Sequence, residues 1–223
     1  CNNYINPSSP YNYGWNTWSG LYWINIWWSN EIKVYCDMST DWWWWSLVLK
    51  ADWNQTTFSY DELIWTNNSI LNESTNYEFN NSWEYKNTLF SNSKFDNIHI
   101  VMETSSSQSG FTINIWDPIS MQNMFQNWWE QNTSFWRDIW KWLIPDSSLQ
   151  SNCNKEWINS YIDWSHSRIR IWIIWNEQDD CLSPDSRLWI WWKWNPNSDN
   201  SVWNTASWYP DNGDKNIKSF WYI

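Results

Sequence analysis

The sequence predicts an α+β domain built on a twisted, mainly antiparallel sheet, with few short helices and long loops. Three observations lead there. Short apolar or alternating segments recur at 20–24, 31–35, 46–51, 97–103, 111–115, 169–174 and 217–223. Polar stretches rich in Asn, Ser and Asp separate them, and helix-like patterning is confined to short pieces.

The elements follow in order. Segment 1–30 is rich in Asn, Ser and Pro and carries a short strand at 20–24. Residues 31–35 set Ile32 and Val34 against Glu31, Lys33 and Tyr35, a strand ending at Cys36. A second strand, 46–51, puts Leu47 and Leu49 on one face and Val48 on the other. From 52 to 95 the chain is polar, with scattered Trp65, Leu71, Tyr77, Phe79, Tyr85 and Phe90. It reads as loops with one or two short helices, chiefly 82–90. Segments 97–103 and 111–115 form a hairpin across a Ser-rich turn that contains Gly110. Residues 120–125 suggest a short helix, and 169–174 a buried strand central to the sheet. The remainder to Asp214 reads as long loop, closed by a last strand at 217–223. No internal repeat is visible.

With 223 residues the chain is long enough for a proper core and reads as a single domain. Residues 1–50 would form an N-terminal subdomain, and 51–223 the central sheet and the C-terminal loops. Net charge is −11 without a basic stripe, so nucleic acid is not an expected partner. No apolar run reaches the length of a membrane span. The chain opens at Cys1 without initiator Met or signal peptide. It therefore reads as a domain of a longer protein whose targeting and flanking regions, including any that oligomerise it, lie outside it.

Cys1, Cys36, Cys153 and Cys181 permit three pairings. None has the short spacing of a zinc or redox site, so two structural disulfides in an oxidising compartment are the better reading. The sequential pairing would close one loop near each end.

The composition is unusual: 29 Trp against 4 Gly, where a chain of this length averages roughly 16 Gly. Each Trp carries about 150–250 Å² to be buried. Twenty-nine of them would claim several thousand Å² of core in a molecule whose folded surface is about 11,000 Å². Many stand where turn chemistry wants Gly, as in Asp52-Trp53-Asn54, Ser82-Trp83-Glu84 and Ile115-Trp116-Asp117-Pro118. Trp23, Trp45, Trp65, Trp140, Trp164 and Trp208 read naturally as Trp, and the other 23 read as Gly. The expected cause is a codon, UGA the candidate, that the organism reads as Gly but that has been translated with a table assigning Trp.

With its first three tryptophans read as Gly, the block Trp42-Trp43-Trp44-Trp45 completes Tyr35-Cys36-Asp37-Met38-x-x-Asp41-Gly-Gly-Gly-Trp45-x-Leu47-Val48. This resembles the signature of fibrinogen C-terminal-like domains, including the intelectin branch. The resemblance is specific over 20–49 and good again over 168–194. It also holds over 212–223, as N-G-D-K-x-I-K-x-F-G-Y-I; the middle carries little signal. It implies the fibrinogen-like form of the α+β fold and a Cys1–Cys36 bridge, and the sequential pairing then leaves Cys153–Cys181.

No catalytic constellation is present: no nucleophile elbow, no phosphate-cradling loop, no plausibly reactive Cys. An enzyme is not expected. His99 falls mid-strand and reads as packed or surface-exposed. His166, between Trp164 and Arg168, reads as a loop residue that could contact a ligand. Hard oxygen donors crowd the last quarter: Glu177, Asp179, Asp180, Asp185, Asp199, Asn200, Asp211, Asn212 and Asp214. Calcium takes six to eight such oxygens in flexible geometry. The resemblance implies calcium in this region beside a ligand pocket. The family's usual Asp-x-Asp-x-Asp run is absent, so its ligands do not transfer residue by residue. Composition and location nominate Asp185, Asp199, Asn200, Asp211 and Asp214 as the metal set. Trp208-Tyr209 sets two aromatics beside acidic donors, a pairing suited to stacking on sugar faces while carboxylates or calcium engage hydroxyls; Trp208 packed in the core beneath the loop is the plainer reading. The expectation is an extracellular or cell-surface domain that binds glycans or acetylated or acidic ligands, with His166, Trp208 and Tyr209 as contacts and calcium as organising ion. The alternative is a structural or assembly module of a surface appendage.

Overall fold

The computed structural model describes residues 1, 18–27, 30–41, 44–75, 83–126, 137–144, 150–161, 168–176, 178–181, 186–193, 201–206 and 217–223. Most of these residues lie in antiparallel strands, with a few short helices, as an α+β chain requires.

Strands β1 (Gly20–Trp27) and β2 (Asn30–Asp37) form a hairpin in register from Gly20↔Cys36 to Ile24↔Ile32. Tyr22, Ile24 and Ile26 alternate inward, as period-two patterning demands, and pack with Val34 and Cys36 in the main core. Cys1 is joined to Cys36, with a Cα separation of 6.1 Å. Asp37 then organises the exit of β2. Its Oδ1 accepts from the Ser39 amide (2.8 Å), the Ser39 hydroxyl (2.7 Å) and the Ser19 hydroxyl (3.1 Å), while its Oδ2 accepts from the Thr40 hydroxyl (2.6 Å). Asp41 sits at φ 54°, a region where a short polar side chain is tolerated.

Strand β3 (Trp45–Asp52) is buried along its whole length. It departs from simple alternation. Against the C-terminal strand β11 (Lys218–Tyr222), Trp221 pairs with Leu49 but Tyr222 pairs with Leu47, so the register skips Val48. This bulge turns Leu47 to one face of the sheet and sends both Val48 and Leu49 into the main core on the other. The expectation that Leu47 and Leu49 share a face is thereby corrected. Asn87 takes up the carbonyls freed there: its amide donates to the Val48 oxygen (3.1 Å) and its side chain to the Leu47 oxygen (2.9 Å).

The last strand in sequence is central in space. The large sheet runs β1-β2-β3-β11-β5-β6, with β4 (Tyr85–Lys86) also paired to β3. Strands β5 (Phe95–Glu103) and β6 (Gln108–Ile119) form the expected hairpin, closed at Glu103↔Gln108. Its turn is 104–107, held by the Thr104 amide to the Ser107 carbonyl (2.8 Å). Gly110 is not in the turn but in β6. A Cβ there would come within 2.8 Å of His99 Nε2 and 2.9 Å of Val101 Cγ2, so the position needs a residue without one.

Among its described residues, the polar stretch from 52 carries one 3-10 turn, Leu63–Trp65. The helix expected over 82–90 is reduced to β4 plus α1 (Leu89–Asn92), because Tyr85 and Lys86 pair with β3 instead. Helix α2 (Met121–Gln126) matches expectation. The Ser120 hydroxyl accepts from the Asn123 amide (3.2 Å), capping it, while Met121, Met124 and Phe125 bury one face. Helix α3 (Arg137–Leu143) was not legible in the pattern. Its Trp140 packs edge-on against Phe111 of β6 and donates from Nε1 to Glu156 Oε2.

A second, four-stranded sheet has the order β10-β9-β8-β7: β7 (Asn152–Tyr161), β8 (Arg168–Asn176), β9 (Ser186–Lys193) and β10 (Val202–Ala206). Two expectations are corrected here. Residues 169–174 form an interior strand of this smaller sheet, not the centre of the main one. The stretch from 175 to 214, read as loop, contains β9 and β10. Ile158, Ile171, Ile173, Trp175, Leu188 and Val202 from this sheet join the core of the large one, so a single apolar cluster spans both.

The tryptophans fall into unlike surroundings. Trp18, Trp44, Trp53 and Trp83, all assigned as Gly, lie in described loops or turns. Trp27, Trp116, Trp157, Trp172, Trp175, Trp189, Trp191, Trp192, Trp203 and Trp221, assigned likewise, lie in strands, and Trp142 lies in α3. Turn geometry is thus not what these strand positions share. Asp41, Asn72 and Cys153 are the described non-Gly residues at positive φ. Exposure separates the groups better. Trp18, Trp83, Trp116 and Trp142 are 60–94% exposed, and every one is a glycine-assigned position. Trp45, Trp65 and Trp140, which read as Trp, are buried. Trp175 and Trp221 run against this sorting: both are glycine-assigned and fully buried.

Candidate functional site

Both disulfides have the sequential pairing. Cys1–Cys36 anchors the first residue to β2, and Cys153–Cys181 ties β7 to the turn after β8, with a Cα separation of 5.3 Å. Two such bridges are compatible with an oxidising, extracellular setting. No described helix is long and apolar enough to cross a membrane.

His166, Asp185, Asp199, Asn200, Trp208, Tyr209, Asp211 and Asp214 lie outside the described residues. What the strands determine is the end of the four-stranded sheet from which each segment departs. Antiparallel pairing puts Asn152 opposite Asn176, Trp175 opposite Ser186 and Ala206 opposite Ser186. These residues mark one end. The chain leaves it as 177–185, which contains Asp185, and again as 207–216, which contains Trp208, Tyr209, Asp211 and Asp214. The Cys153–Cys181 bridge stands at this same end. The opposite end is marked by Tyr161↔Arg168 and Arg168↔Lys193. From there depart 162–167, with His166, and 194–200, with Asp199 and Asn200. The strands between are roughly eight residues long, or about 25 Å. Segment 207–216 ends at Ile217, whose carbonyl accepts from the Trp53 amide (3.1 Å), so it runs on from the first end to the end of β3.

Near the second end the structure adds two acids that the sequence did not single out. Asp52, at the end of β3, and Glu84, just before β4, are both buried. The Asp52 amide donates to Glu84 Oε1 (3.2 Å), and Asp52 Oδ1 accepts from the Asn54 amide (3.1 Å). Burial pushes the Glu84 carboxyl up. Hydrogen bonds from Ser201 and Thr57 and the Asp52 amide oppose this, while the Asp52 charge adds to it. Ser201, which follows Asn200, is fixed here: its amide donates to the Gln55 carbonyl (2.8 Å) and its hydroxyl accepts from the Phe58 amide (3.1 Å). The only sequence signal was the acidic residue on each side of a glycine-like tryptophan, Asp52-Trp53 and Trp83-Glu84. Among the described residues, no three His, Cys, Asp or Glu side chains gather as a metal-holding group.

Two buried cations brace the interior. The Arg170 guanidinium donates to the Phe125 carbonyl (3.1 Å) and the Tyr60 carbonyl (3.1 Å) and stacks on the Tyr60 ring at 4.4 Å. It thus links β8 to α2 and to the turn before the 3-10 element, and burial lowers its pKa. Lys86 is fully buried. Its ammonium donates to the Ile64 and Asn67 carbonyls and lies 4.5 Å from the Phe90 ring centroid. Desolvation lowers its pKa to about 8. Both cations close on backbone carbonyls of neighbouring turns, an arrangement that fixes loops and presents no reactive group. His99, expected to be packed or exposed, is packed. Comparison with protein-family models and with curated proteins finds no match for this chain.

Proposed function

We propose that the chain is a fibrinogen C-terminal-like recognition domain, displayed outside the cell, that binds glycans or acetylated or acidic ligands non-covalently. The observation that carries this reading is topological. Segment 177–185, with Asp185, and segment 207–216, with Trp208 and Tyr209, leave the same end of the four-stranded sheet. Carboxylates and an organising calcium ion beside two stacking rings make a site suited to polyols. Segments 162–167, with His166, and 194–200, with Asp199 and Asn200, leave the opposite end. On this reading Asp199 and Asn200 serve the junction around Asp52, Glu84 and Ser201 instead of the ligand pocket. The two disulfides are compatible with a domain displayed outside the cell.

The reading includes recoding: glycine stands at 23 of the 29 tryptophan positions. Among the described residues, the four tryptophans most exposed to solvent are all in this set, and solvent-facing indoles are what a soluble domain avoids. In the coding DNA, these 23 positions share one codon, while Trp23, Trp45, Trp65, Trp140, Trp164 and Trp208 use UGG. A mixture with no such split sinks the recoding.

The binding test uses the glycine-restored chain on a glycan array and in a calorimeter, with calcium and with a chelator. Calcium at 100 times its dissociation constant raises stability by about 2.7 kcal/mol. The chelator removes that gain and the glycan retention together. Asp211→Asn or Asp214→Asn mimics the chelator, and Asp61→Asn does not. Absence of both calcium heat and glycan retention leaves the structural module of a surface appendage as the better account.

A further inference from the structure

We propose that the Cys153–Cys181 bridge is a site of thiol–disulfide exchange, opened by a dithiol while Cys1–Cys36 stays closed. The two bridges have unlike surroundings. Cys1 and Cys36 are both buried in the main core, and Cys36 sits in a regular strand paired on both sides, to Gly20 and to Ser46. Cys153 and Cys181 are both partly exposed. An attacking thiolate must reach a sulfur along the S–S axis, so access by itself separates them.

Backbone conformation separates them further. Cys153 has φ 76°, in the left-handed region that a residue with a Cβ occupies only under constraint. It lies where the β7–β8 register jumps from Asn152↔Asn176 to Lys155↔Ile174, so it is one of the bulged residues. On the facing side, the Asn176 side-chain amide donates to the Asp180 carbonyl (2.7 Å), holding the turn that presents Cys181. A covalent tie thus joins a strained bulge to a braced turn. Opening it lets Cys153 relax toward an ordinary strand conformation, whereas opening Cys1–Cys36 releases nothing comparable and exposes core.

The exchange balances simply. One thiolate of the dithiol attacks a sulfur of the pair, the Cys153–Cys181 bond breaks, and the departing sulfur takes a proton. The second thiol of the reagent then attacks the mixed disulfide, leaves as cyclic oxidised reagent, and the remaining cysteine is protonated. Two electrons and two protons pass to the protein. The structural consequence is local: the turn 178–181 loses its tether to β7 at the pole from which 207–216 also departs. Asn152, Cys153, Asn176, Asp180 and Cys181 are unaffected by how the tryptophans are read, and nothing here depends on calcium or glycan binding.

The test is a time course with dithiothreitol, a neutral reagent chosen because exposed Asp179 and Asp180 beside Cys181 repel anionic thiols. Samples are trapped with iodoacetamide and mapped by peptide mass spectrometry, with near-ultraviolet circular dichroism recorded in parallel. Cys153 and Cys181 should be alkylated at least tenfold faster than Cys1 and Cys36, with the aromatic dichroism retained. Equal rates, or earlier loss of Cys1–Cys36, overturn the proposal. So does selective opening that abolishes the aromatic dichroism, since the bridge would then be a staple of the whole fold.

Discussion

The imidazole of His99 lies against the Trp45 indole, with 5.1 Å between ring centroids. This contact joins the centre of β5 to the first residue of β3 on the outer face of the large sheet, where Leu47, Tyr85, Val101, Phe220 and Tyr222 form a second buried cluster. The Tyr222 ring flanks His99 at 6.1 Å, Gly110 leaves room at Nε2, and Nδ1 meets the Thr112 hydroxyl at 3.0 Å. Trp45 is therefore a lid on a buried histidine.

That surrounding makes His99 acid-sensitive. Burial lowers its pKa below the ordinary 6.5, and the charges of Asp41 and Asp37 only partly offset this. The folded state favours neutral imidazole, so its contribution is complete above the unfolded value and is lost as pH falls below about 6.5. Thermal melts should show a lower Tm at pH 5.5 than at pH 7.5. His99→Gln should shrink that difference while keeping the hydrogen bond to Thr112; an unchanged difference rejects the assignment.

Asp37 acts in a lower window. Burial pushes its carboxyl up, but hydrogen bonds from Thr40, Ser39 and Ser19 outweigh this and hold its pKa below the usual 3.8. Its stabilisation is present above 3.8 and fades as pH falls through the lowered value. Asp37→Ala should cost about 1–3 kcal/mol at neutral pH by urea denaturation, since it strips the turn of its acceptor. The variant should also lose the acid-limb slope below pH 3.8, while the His99 step above it survives.

Arg170 couples the four-stranded sheet to α2 and to the turn at Tyr60. Arg170→Met leaves the carbonyls of Phe125 and Tyr60 without their donor, at a cost of about 2–4 kcal/mol. Arg170→Lys should recover little of this, because a single ammonium nitrogen on a shorter side chain does not reach both the Phe125 and the Tyr60 carbonyls, which two separate guanidinium nitrogens meet. Equilibrium denaturation decides it, and a loss under about 0.5 kcal/mol for Arg170→Met would show that the link is ornamental.

Tryptophan replacements give opposite signs at different sites. Trp116→Gly in the chain as printed should raise solubility with at most about 1 kcal/mol of destabilisation. Trp221→Gly alone should cost about 3–5 kcal/mol, because Trp221 fills core beside Phe125 and bonds Ser219 through Nε1. Replacing all 23 positions together should restore a cooperative, soluble fold as neighbours close over the vacated space. A non-cooperative melt for that chain counts against recoding.

Much of the local structure was legible. Strands at 20–24 and 31–35, the 97–103 with 111–115 pairing, the short helix at 120–125 and the final strand follow from patterning between residues near in sequence. The disulfide partners followed from the count and placement of four cysteines together with the family resemblance. The bulge at Val48 was not legible, because it is set by how β11 lies on β3 across some 170 residues of chain. Strands β9 and β10 were hidden since their tryptophans and polar neighbours carry no period-two signal.

The candidate site divides the same way. From its own residues the chain determined that acidic donors and an aromatic pair crowd its last quarter, and that four cysteines form two bridges. Only the tertiary structure decided from which end of the smaller sheet each loop departs, that Asp52 and Glu84 meet Ser201, and that Cys153 is a strained bulge facing a braced turn. The reason is physical: residue type and spacing govern contacts within a few residues, whereas the alternating direction of antiparallel strands and the burial of charge are settled by partners distant in sequence.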